Sequence, residues 1–333
     1  MAVGSGVLGT LHPVGGVRMA AVSAGIKKPG RLDVVVFELA GGSVTGGVFT
    51  TNAFCAAPVT LCKQHMAQTA PRYFLINTGN ANAGTGEPGM QAAQSCCDAL
   101  AQAAGVSSKS VLPFSTGVIG ELLPAAKITA VVGAALSELT GNEWHKVARG
   151  IMTTDTVSKV AECAVAGSTA RVVGVAKGVG MIEPNMATLI TMMFTDAQVA
   201  PVELNSIFQR VIATTFNCVS VDTDTSTSDS AIVLASGVAG NVDLSAFESA
   251  LYEVALSLTK QVARDGEGAE KLIEVHVDHA RDYEQAKTVA KAIVNSPLVK
   301  TAVHGADPNW GRVAMAIGKC SQYLDVDQEQ VVI

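Results

Sequence analysis

Six stretches of the chain carry the short apolar or alternating runs that are typical of β-strands. They begin at Arg31 (RLDVVVFELA), Arg72 (RYFLIN), Arg171 (RVVGVAKG), Thr188 (TLITMMFT), Ser230 (SAIVLAS) and Lys271 (KLIEVHV). Apolar residues at three- and four-residue spacing predict helices that begin near Met90, Ala125, Pro201, Leu244 and Tyr283. Because helices and strands alternate along the chain, the pattern predicts an α+β fold with mixed α and β layers.

The composition supplies enough apolar material for a large hydrophobic core, since 48% of the 333 residues are hydrophobic and 16% are charged. The net charge of −6 argues against a nucleic-acid or anionic-membrane partner, because such partners select basic surfaces. No apolar run approaches the ~20 residues of a membrane helix, and the N-terminal residues lack the pattern of a secretory signal. We therefore expect a soluble, cytoplasmic protein that acts on a small molecule.

Side chains that commonly bind metals or nucleotides show no recognisable pattern in the sequence. The seven cysteines form no CxxC pair, and the six histidines form no HExxH pair. The acidic run 222–229 has Thr227 where a calcium loop needs glycine and Val233 where it needs glutamate. A GxGxxG match at 84–89 lies too far from the preceding predicted strand, and Glu87 would repel a pyrophosphate. We expect neither a metal nor a bound cofactor.

The run from Lys177 to Ile190 (KGVGMIEPNMATLI) leads through a glycine- and proline-containing loop into an apolar strand, with Thr188 at the junction. The small Ala187 would leave its carbonyl open to attack by the Thr188 hydroxyl, which is what an N-to-O acyl shift requires. Cleavage there would free an α-amine with a pKa of ~7.7–8.0, able to take the proton from its own hydroxyl. In isolation, however, Ala-Thr before a strand usually reflects β-propensity alone.

The same segment resembles the self-processing motif of the ornithine acetyltransferase (glutamate N-acetyltransferase) family, and further motifs of that family follow in order. They are NTGNANAGTG from Asn77, STGVIG from Ser115, MTTDT from Met152, TTFNCVSVDTDTSTSD from Thr214, DGEGAEK from Asp265 and NSPLVKTAVHGADPNWGR from Asn295. The resemblance extends from about Ser5 to about Gly318, so it covers nearly the whole chain.

The resemblance implies an acyltransferase of arginine biosynthesis that cuts itself between Ala187 and Thr188. Residues 1–187 would form an α chain and residues 188–333 a β chain, assembled as two α and two β chains. Thr188 would accept the acetyl group of N2-acetyl-L-ornithine and pass it to L-glutamate in a ping-pong reaction. Some members also accept acetyl-CoA as a co-substrate. The implied fold is that of self-processing acetyltransferases, with helices covering stacked sheets and an N-terminal-nucleophile-like site at a strand end.

The resemblance also assigns site residues by motif. Thr116 and Gly117 of STGVIG would stabilise the oxyanion as catalytic groups, beside the nucleophile Thr188. The substrate-binding residues would be Thr153, Thr154, Lys177, Thr188 and Glu267. A lysine suits the α-carboxylate that both substrates share, and a glutamate suits the side-chain amine of ornithine.

Two positions depart from the family pattern. Family members continue beyond the DPNWGR helix to an Asn and a terminal Thr or Ser that contact substrate, whereas this chain ends at Ile333, as a fragment or as a shortened relative. Glu183 stands where an uncharged residue is more usual.

Two alternatives to the transferase stay open: an aminopeptidase-like self-processed hydrolase that releases acetate without glutamate, and an uncleaved, non-catalytic relative that only binds ligand.

Overall fold

A computed structural model describes residues 2–4, 9–183, 189–322 and 325–333. The strands are β1 (Val17–Val22), β2 (Val34–Leu39), β3 (Val44–Phe49), β4 (Tyr73–Asn80), β5 (Val111–Val118), β6 (Lys159–Ala164), β7 (Arg171–Lys177), β8 (Ile190–Gln198) and β9 (Ser230–Asn241). The α-helices are α1 (Ala57–Met66), α2 (Gly86–Ala104), α3 (Ala125–Thr129), α4 (Val132–Ser137), α5 (Trp144–Gly150), α6 (Pro201–Thr214), α7 (Leu244–Arg264), α8 (Tyr283–Val294), α9 (Pro297–His304) and α10 (Trp310–Gly318).

The strands form two mixed sheets. The first has the order β1-β2-β4-β5, antiparallel except for the parallel pair β4 and β5. The second has the order β3-β9-β8-β7-β6, antiparallel except for the parallel pair β8 and β9. Two mixed sheets together with helices confirm the predicted α+β class.

The alternation of side chains along each strand separates two packing faces. On β2, Val35, Phe37 and Leu39 point into an apolar core between the two sheets, whereas Val34 and Val36 pack towards helices. The outer face of the first sheet is covered mainly by α2, and the outer face of the second by α6 and α7. The layers therefore run helix, sheet, sheet, helix.

Helices α8, α9 and α10 pack around a smaller apolar cluster of their own. Its buried members are Val289, Ile293, Val299, Ala316, Ile317 and Cys320. Among the described residues, no helix combines the length and the apolar character that crossing a membrane requires.

Two local predictions were wrong. Residues 271–277 (KLIEVHV) form no strand, because the alternating Val275 and Val277 pack against the cluster of α8 to α10 without a neighbouring strand to bond. Helix α2 begins at Gly86 and not near Met90, since Pro88 fits the first helical turn, where no backbone N–H is needed. The helix predicted at Ala125 does begin there but spans only five residues.

Candidate active site

A cavity of about 420 Å³ opens where strands of both sheets end. Its walls include every predicted site residue that lies in the described part of the chain. These are Thr116, Gly117, Thr153, Thr154, Lys177 and Glu267. Residues up to 151 positions apart in sequence are thus brought to one cavity, where they can act on a single small molecule.

Ala187 and Thr188 lie outside the described residues, and the strand that follows them, β8, begins at Ile190. Leu189 and Ile190 line the cavity. In the antiparallel pair of β7 and β8, Ile190 lies opposite Lys177, and in the parallel pair of β8 and β9 it lies opposite Ser230. The register therefore sets the start of β8 between Lys177 on one side and the residues that precede β9 on the other.

Thr116 and Gly117 lie near the end of β5, where the strand runs parallel to β4 and Gly117 is opposite Gly79. Gly117 has a φ of +141°, and a Cβ at this position would lie 2.3 Å from the carbonyl carbon of Gly79. Backbone atoms cannot yield to such a contact, so only glycine fits. The close approach of the two strands fixes this wall of the cavity.

Lys177, the last residue of β7, contacts this wall through its ammonium. Its Nζ donates a hydrogen bond of 3.2 Å to the Thr116 hydroxyl. Burial lowers the pKa of Lys177 below its usual value, and the nearby carboxylates of Asp155 and Asp229 partly offset that effect. The ammonium is thus a partly desolvated cation, which attracts an anionic ligand more strongly than a solvated lysine does.

Asp229 is a cavity residue that the sequence did not reveal. It directly precedes β9, is 2% exposed, and its Oδ2 is buried without a hydrogen-bond partner among the described residues. Burial raises the pKa of Asp229 well above its usual value, although Lys177 acts in the opposite direction. In the sequence this residue ends both the acidic run and the family motif that begins at Thr214, neither of which assigns it a role.

Hydrogen bonds to backbone atoms hold Glu267 and residues 151–158, here called the threonine loop. Arg31 donates to the carbonyl oxygens of Met152 and Thr153 at 2.7 and 2.8 Å. The backbone N–H of Glu267 donates to the carbonyl oxygen of Val179 at 2.8 Å, which ties the end of α7 to the loop after β7. Both contacts join segments that are far apart in sequence, so the cavity wall depends on tertiary packing.

Further charged residues at the cavity were missed because they lie in a loop without a motif. Lys27, Lys28, Arg31 and Asp33 all come from the segment before β2. Asp33 stabilises that loop by accepting hydrogen bonds of 2.6 Å from the backbone N–H groups of Ala24 and Ile26. Within the described ranges, no group of three or more His, Cys, Asp or Glu side chains could hold a metal ion.

Comparison with known proteins identifies relatives over most of the chain. The model of the ArgJ family matches residues 18–333. The chain is 46% identical over 344 residues to the arginine biosynthesis bifunctional protein ArgJ of Pseudomonas syringae pv. tomato, an alignment that covers 100% of this chain and 85% of the relative.

Two other relatives are similarly close. The chain is 52% identical over 290 residues to the arginine biosynthesis bifunctional protein ArgJ 2 of a Nostoc species, covering 87% of this chain and 74% of that protein. It is 48% identical over 309 residues to the glutamate N-acetyltransferase Oat2 of Streptomyces clavuligerus, covering 93% and 78%.

Proposed function

The chain belongs to the ArgJ family, and on that premise we propose that it is an acyltransferase of arginine biosynthesis. It transfers an acetyl group from N2-acetyl-L-ornithine to L-glutamate. Thr188 carries the acetyl group between the two half-reactions, after the chain has cut itself between Ala187 and Thr188. The names of the relatives support the overall reaction, and the cavity residues support the steps within it.

In the processing step, the Thr188 hydroxyl attacks the carbonyl carbon of Ala187 and displaces its own nitrogen, which leaves an ester. This shift frees the α-amine of Thr188. Water then cleaves the ester, so that Ala187 gains a carboxylate and Thr188 regains its hydroxyl. The same hydroxyl next attacks the acetyl carbonyl of N-acetylornithine, its proton passes through the α-amine to the leaving nitrogen, and ornithine departs. The α-amine of glutamate finally attacks the acetyl ester and regenerates the free hydroxyl.

The observation that carries this proposal is the register around β8. Ile190, two residues after Thr188, lies opposite Lys177 and beside the segment that holds Asp229. The oxyanion candidates Thr116 and Gly117 line the same cavity. A nucleophile at the start of β8 would thus face an oxyanion site and a carboxylate-binding cation, the two features that amide acyl transfer to an amino acid needs.

The charges around the cavity suit the two substrates. Lys177 binds the α-carboxylate that both substrates share, and Glu267 binds the side-chain ammonium of ornithine. Thr153 and Thr154 supply hydroxyls on the same wall. Acetyl-CoA, an acetyl donor for some family members, remains a proposed co-substrate, and no bound cofactor is needed by this chemistry.

The two proposed chains would stay together after cleavage. Strand β7, from residues 1–187, pairs with β8 of residues 188–333, and β3 pairs with β9 in the same way. The buried ion pair between Lys159 and Asp265, 2.6 Å long, also joins the two portions. We propose that two α and two β chains make up the assembled enzyme.

A denaturing gel combined with N-terminal sequencing tests the processing step. The proposal predicts two pieces of unequal size, one of which begins at Thr188. Ornithine release from N-acetylornithine should require glutamate in steady state. One intact band would favour the uncleaved, ligand-binding relative, and release of acetate without glutamate would favour the self-processed hydrolase.

A further inference from the structure

Three side chains next to the cavity form a buried charged cluster: Asp155, Lys159 and Asp265. The Lys159 Nζ lies 2.7 Å from Asp155 Oδ1 and 2.6 Å from Asp265 Oδ2, and the three side chains have no exposed surface. The ammonium also donates to the carbonyl oxygen of Val157 at 3.3 Å. All three of its donors are therefore in use, and Lys159 has none left for a ligand.

Both carboxylates also hold backbone of the segments that form the cavity wall. Asp155 accepts hydrogen bonds from the N–H groups of Thr153 at 3.0 Å and Gly178 at 2.7 Å. Asp265 accepts from the N–H of Thr156 at 3.1 Å and from its hydroxyl. A buried carboxylate is tolerated when its oxygens are bonded in this way. The cluster thus joins the threonine loop, the loop after β7 and the end of α7.

Asp155 is attracted by two lysines, but only Lys159 bonds it. Burial alone would raise the pKa of Asp155, yet the charges of Lys177 and Lys159 and the hydrogen bonds from Lys159 and Thr153 lower it to about 2. The carboxyl is therefore an anion at neutral pH. Lys177, in contrast, bonds only the Thr116 hydroxyl and makes no ion pair within the part of the chain that the structure describes.

We propose that Lys159 is a positioning residue for carboxylate binding: by pairing with Asp155, it leaves the Lys177 ammonium available for a substrate carboxylate. Without Lys159, two buried anions would remain and Asp155 would pair with Lys177, whose charge already acts on it and whose neighbour Gly178 it already bonds. That pairing would occupy the charge that the substrate needs. The inference rests on the proposed function in one respect, which is that Lys177 binds the α-carboxylate.

A role in stability alone would treat the two carboxylates alike. Asp155 and Asp265 are equally buried, and each bonds the Lys159 ammonium at nearly the same distance. A positioning role separates them, because Asp155 accepts a hydrogen bond of 2.7 Å from the N–H of Gly178, the residue next to Lys177, whereas Asp265 bonds Thr156. The difference between the two aspartates is therefore the quantity to measure.

The experiment compares the purified wild type with Lys159→Met, Lys159→Met/Asp155→Asn and Lys159→Met/Asp265→Asn. Each double variant removes one cation and one anion, so the two are matched in charge. For each protein, the dissociation constant of L-glutamate is measured by calorimetry, KM and kcat by acetyl transfer, and Tm by thermal unfolding. Glutamate is the probe because it lacks the ammonium that Glu267 is proposed to bind.

We expect Lys159→Met to weaken glutamate binding about tenfold or more, with a matching rise in KM and a smaller fall in kcat. Adding Asp155→Asn should restore most of the affinity, and adding Asp265→Asn should not. Equal recovery in both double variants, or unchanged affinity in Lys159→Met, would overturn the inference.

Two single variants test the same inference if Lys159→Met does not fold. The charges that act on the Lys177 ammonium are Asp155, Lys159, Asp229 and Arg31. Asp155→Asn removes one of the two anions that stabilise the charged form, so the loss of glutamate binding at alkaline pH should move to lower pH. Asp265→Asn should leave that pH dependence in place. A shift of equal size in both variants, or in neither, would contradict the positioning role.

The binding measurement separates this inference from the proposed reaction. The glutamate affinities of the wild type and the variants could follow the expected pattern while the wild type transfers no acetyl group. That result would refute the proposed reaction and keep the positioning role. A wild type that transfers acetyl, with both double variants alike, would refute the positioning role alone.

Discussion

The strands that meet between the two sheets carry aromatic and aliphatic side chains along most of their length, whereas β4 and β5 end in amides and hydroxyls. In the middle, the ring of Phe194 lies 4.6 Å from that of Phe37 and 5.4 Å from that of Trp144. At the end, the Ser115 hydroxyl donates to the Asn77 side chain at 2.6 Å. One region is held by packing and the other by directed polar contacts.

The difference between these regions indicates that the apolar middle supplies most of the stability and that the polar end supplies the groups for chemistry. Burial of aromatic rings stabilises the sandwich by removing apolar area from water and by close packing. The polar end contains a partly desolvated lysine and a buried aspartate whose Oδ2 has no hydrogen-bond partner among the described residues. Changes in the middle should therefore alter unfolding, and changes at the end should alter ligand binding and turnover.

The largest effect is expected for Thr188→Ala. Loss of the hydroxyl removes the nucleophile for both cleavage and acetyl transfer, so the chain should stay in one piece and turnover should fall by at least about a thousandfold. Gel analysis and the acetyl-transfer assay measure these outcomes. Thr214→Ala, at an exposed hydroxyl on α6, is the control and should be processed normally. Cleavage or transfer retained by Thr188→Ala would refute its assignment.

Phe194→Ala probes the apolar middle. The ring is fully buried, so its removal should lower the free energy of unfolding by about 3–5 kcal/mol. Denaturant unfolding is measured in the Thr188→Ala background, where the chain should remain uncleaved. KM is measured for the variant that carries Phe194→Ala alone. Phe54→Ala, at a residue 60% exposed, is the control. A large rise in KM with little loss of stability would contradict the division between the two regions.

Lys177→Met probes the polar end. Because both substrates carry an α-carboxylate, loss of the cation should raise KM for N-acetylornithine and for glutamate by roughly tenfold to a hundredfold. Thermal stability should change little. The control, Lys146→Met, removes a surface lysine that pairs with Glu138 and should leave both constants unchanged. An effect on one substrate only would argue against a shared carboxylate site.

The smallest effect is expected for Glu267→Gln, because Glu267 is exposed and its interactions are weakened by water. KM for N-acetylornithine should rise several-fold, up to about tenfold, and KM for glutamate should stay the same or fall. Glu270→Gln, three residues away and also exposed, is the matched control. Equal increases for both substrates would contradict the assignment of Glu267 to the ornithine ammonium.

The sequence predicted the strands that contain a run of several large apolar residues and missed β3, which lacks such a run. Strands β2, β7 and β9 were recognised from their valine and isoleucine content, but β3 was not, because Gly46 and Gly47 weaken its signal. In the structure both glycines lie close to other elements: a Cβ at Gly46 would meet Asn205 at 2.7 Å, and one at Gly47 would meet Ile232 at 3.0 Å. Such close approaches depend on tertiary packing.

The same limit applies to the site. Motifs singled out Thr116, Lys177 and Glu267, and the structure brings these residues to one cavity, although their roles stay predictions. Asp229 and Lys159 were not singled out. Their importance comes from burial and from partners many residues away, such as the contact between Lys159 and Asp265 across 106 positions. No local pattern in the sequence records such a contact.

The most direct test of the acetyl-threonine mechanism is the mass of the fragment that begins at Thr188, after incubation with N-acetylornithine in the absence of glutamate. The acetyl-threonine mechanism predicts that this fragment gains one acetyl group, located on Thr188, and that the group is lost when glutamate is added. A fragment that stays unmodified while ornithine is released, or an intact chain that transfers acetyl, would contradict it.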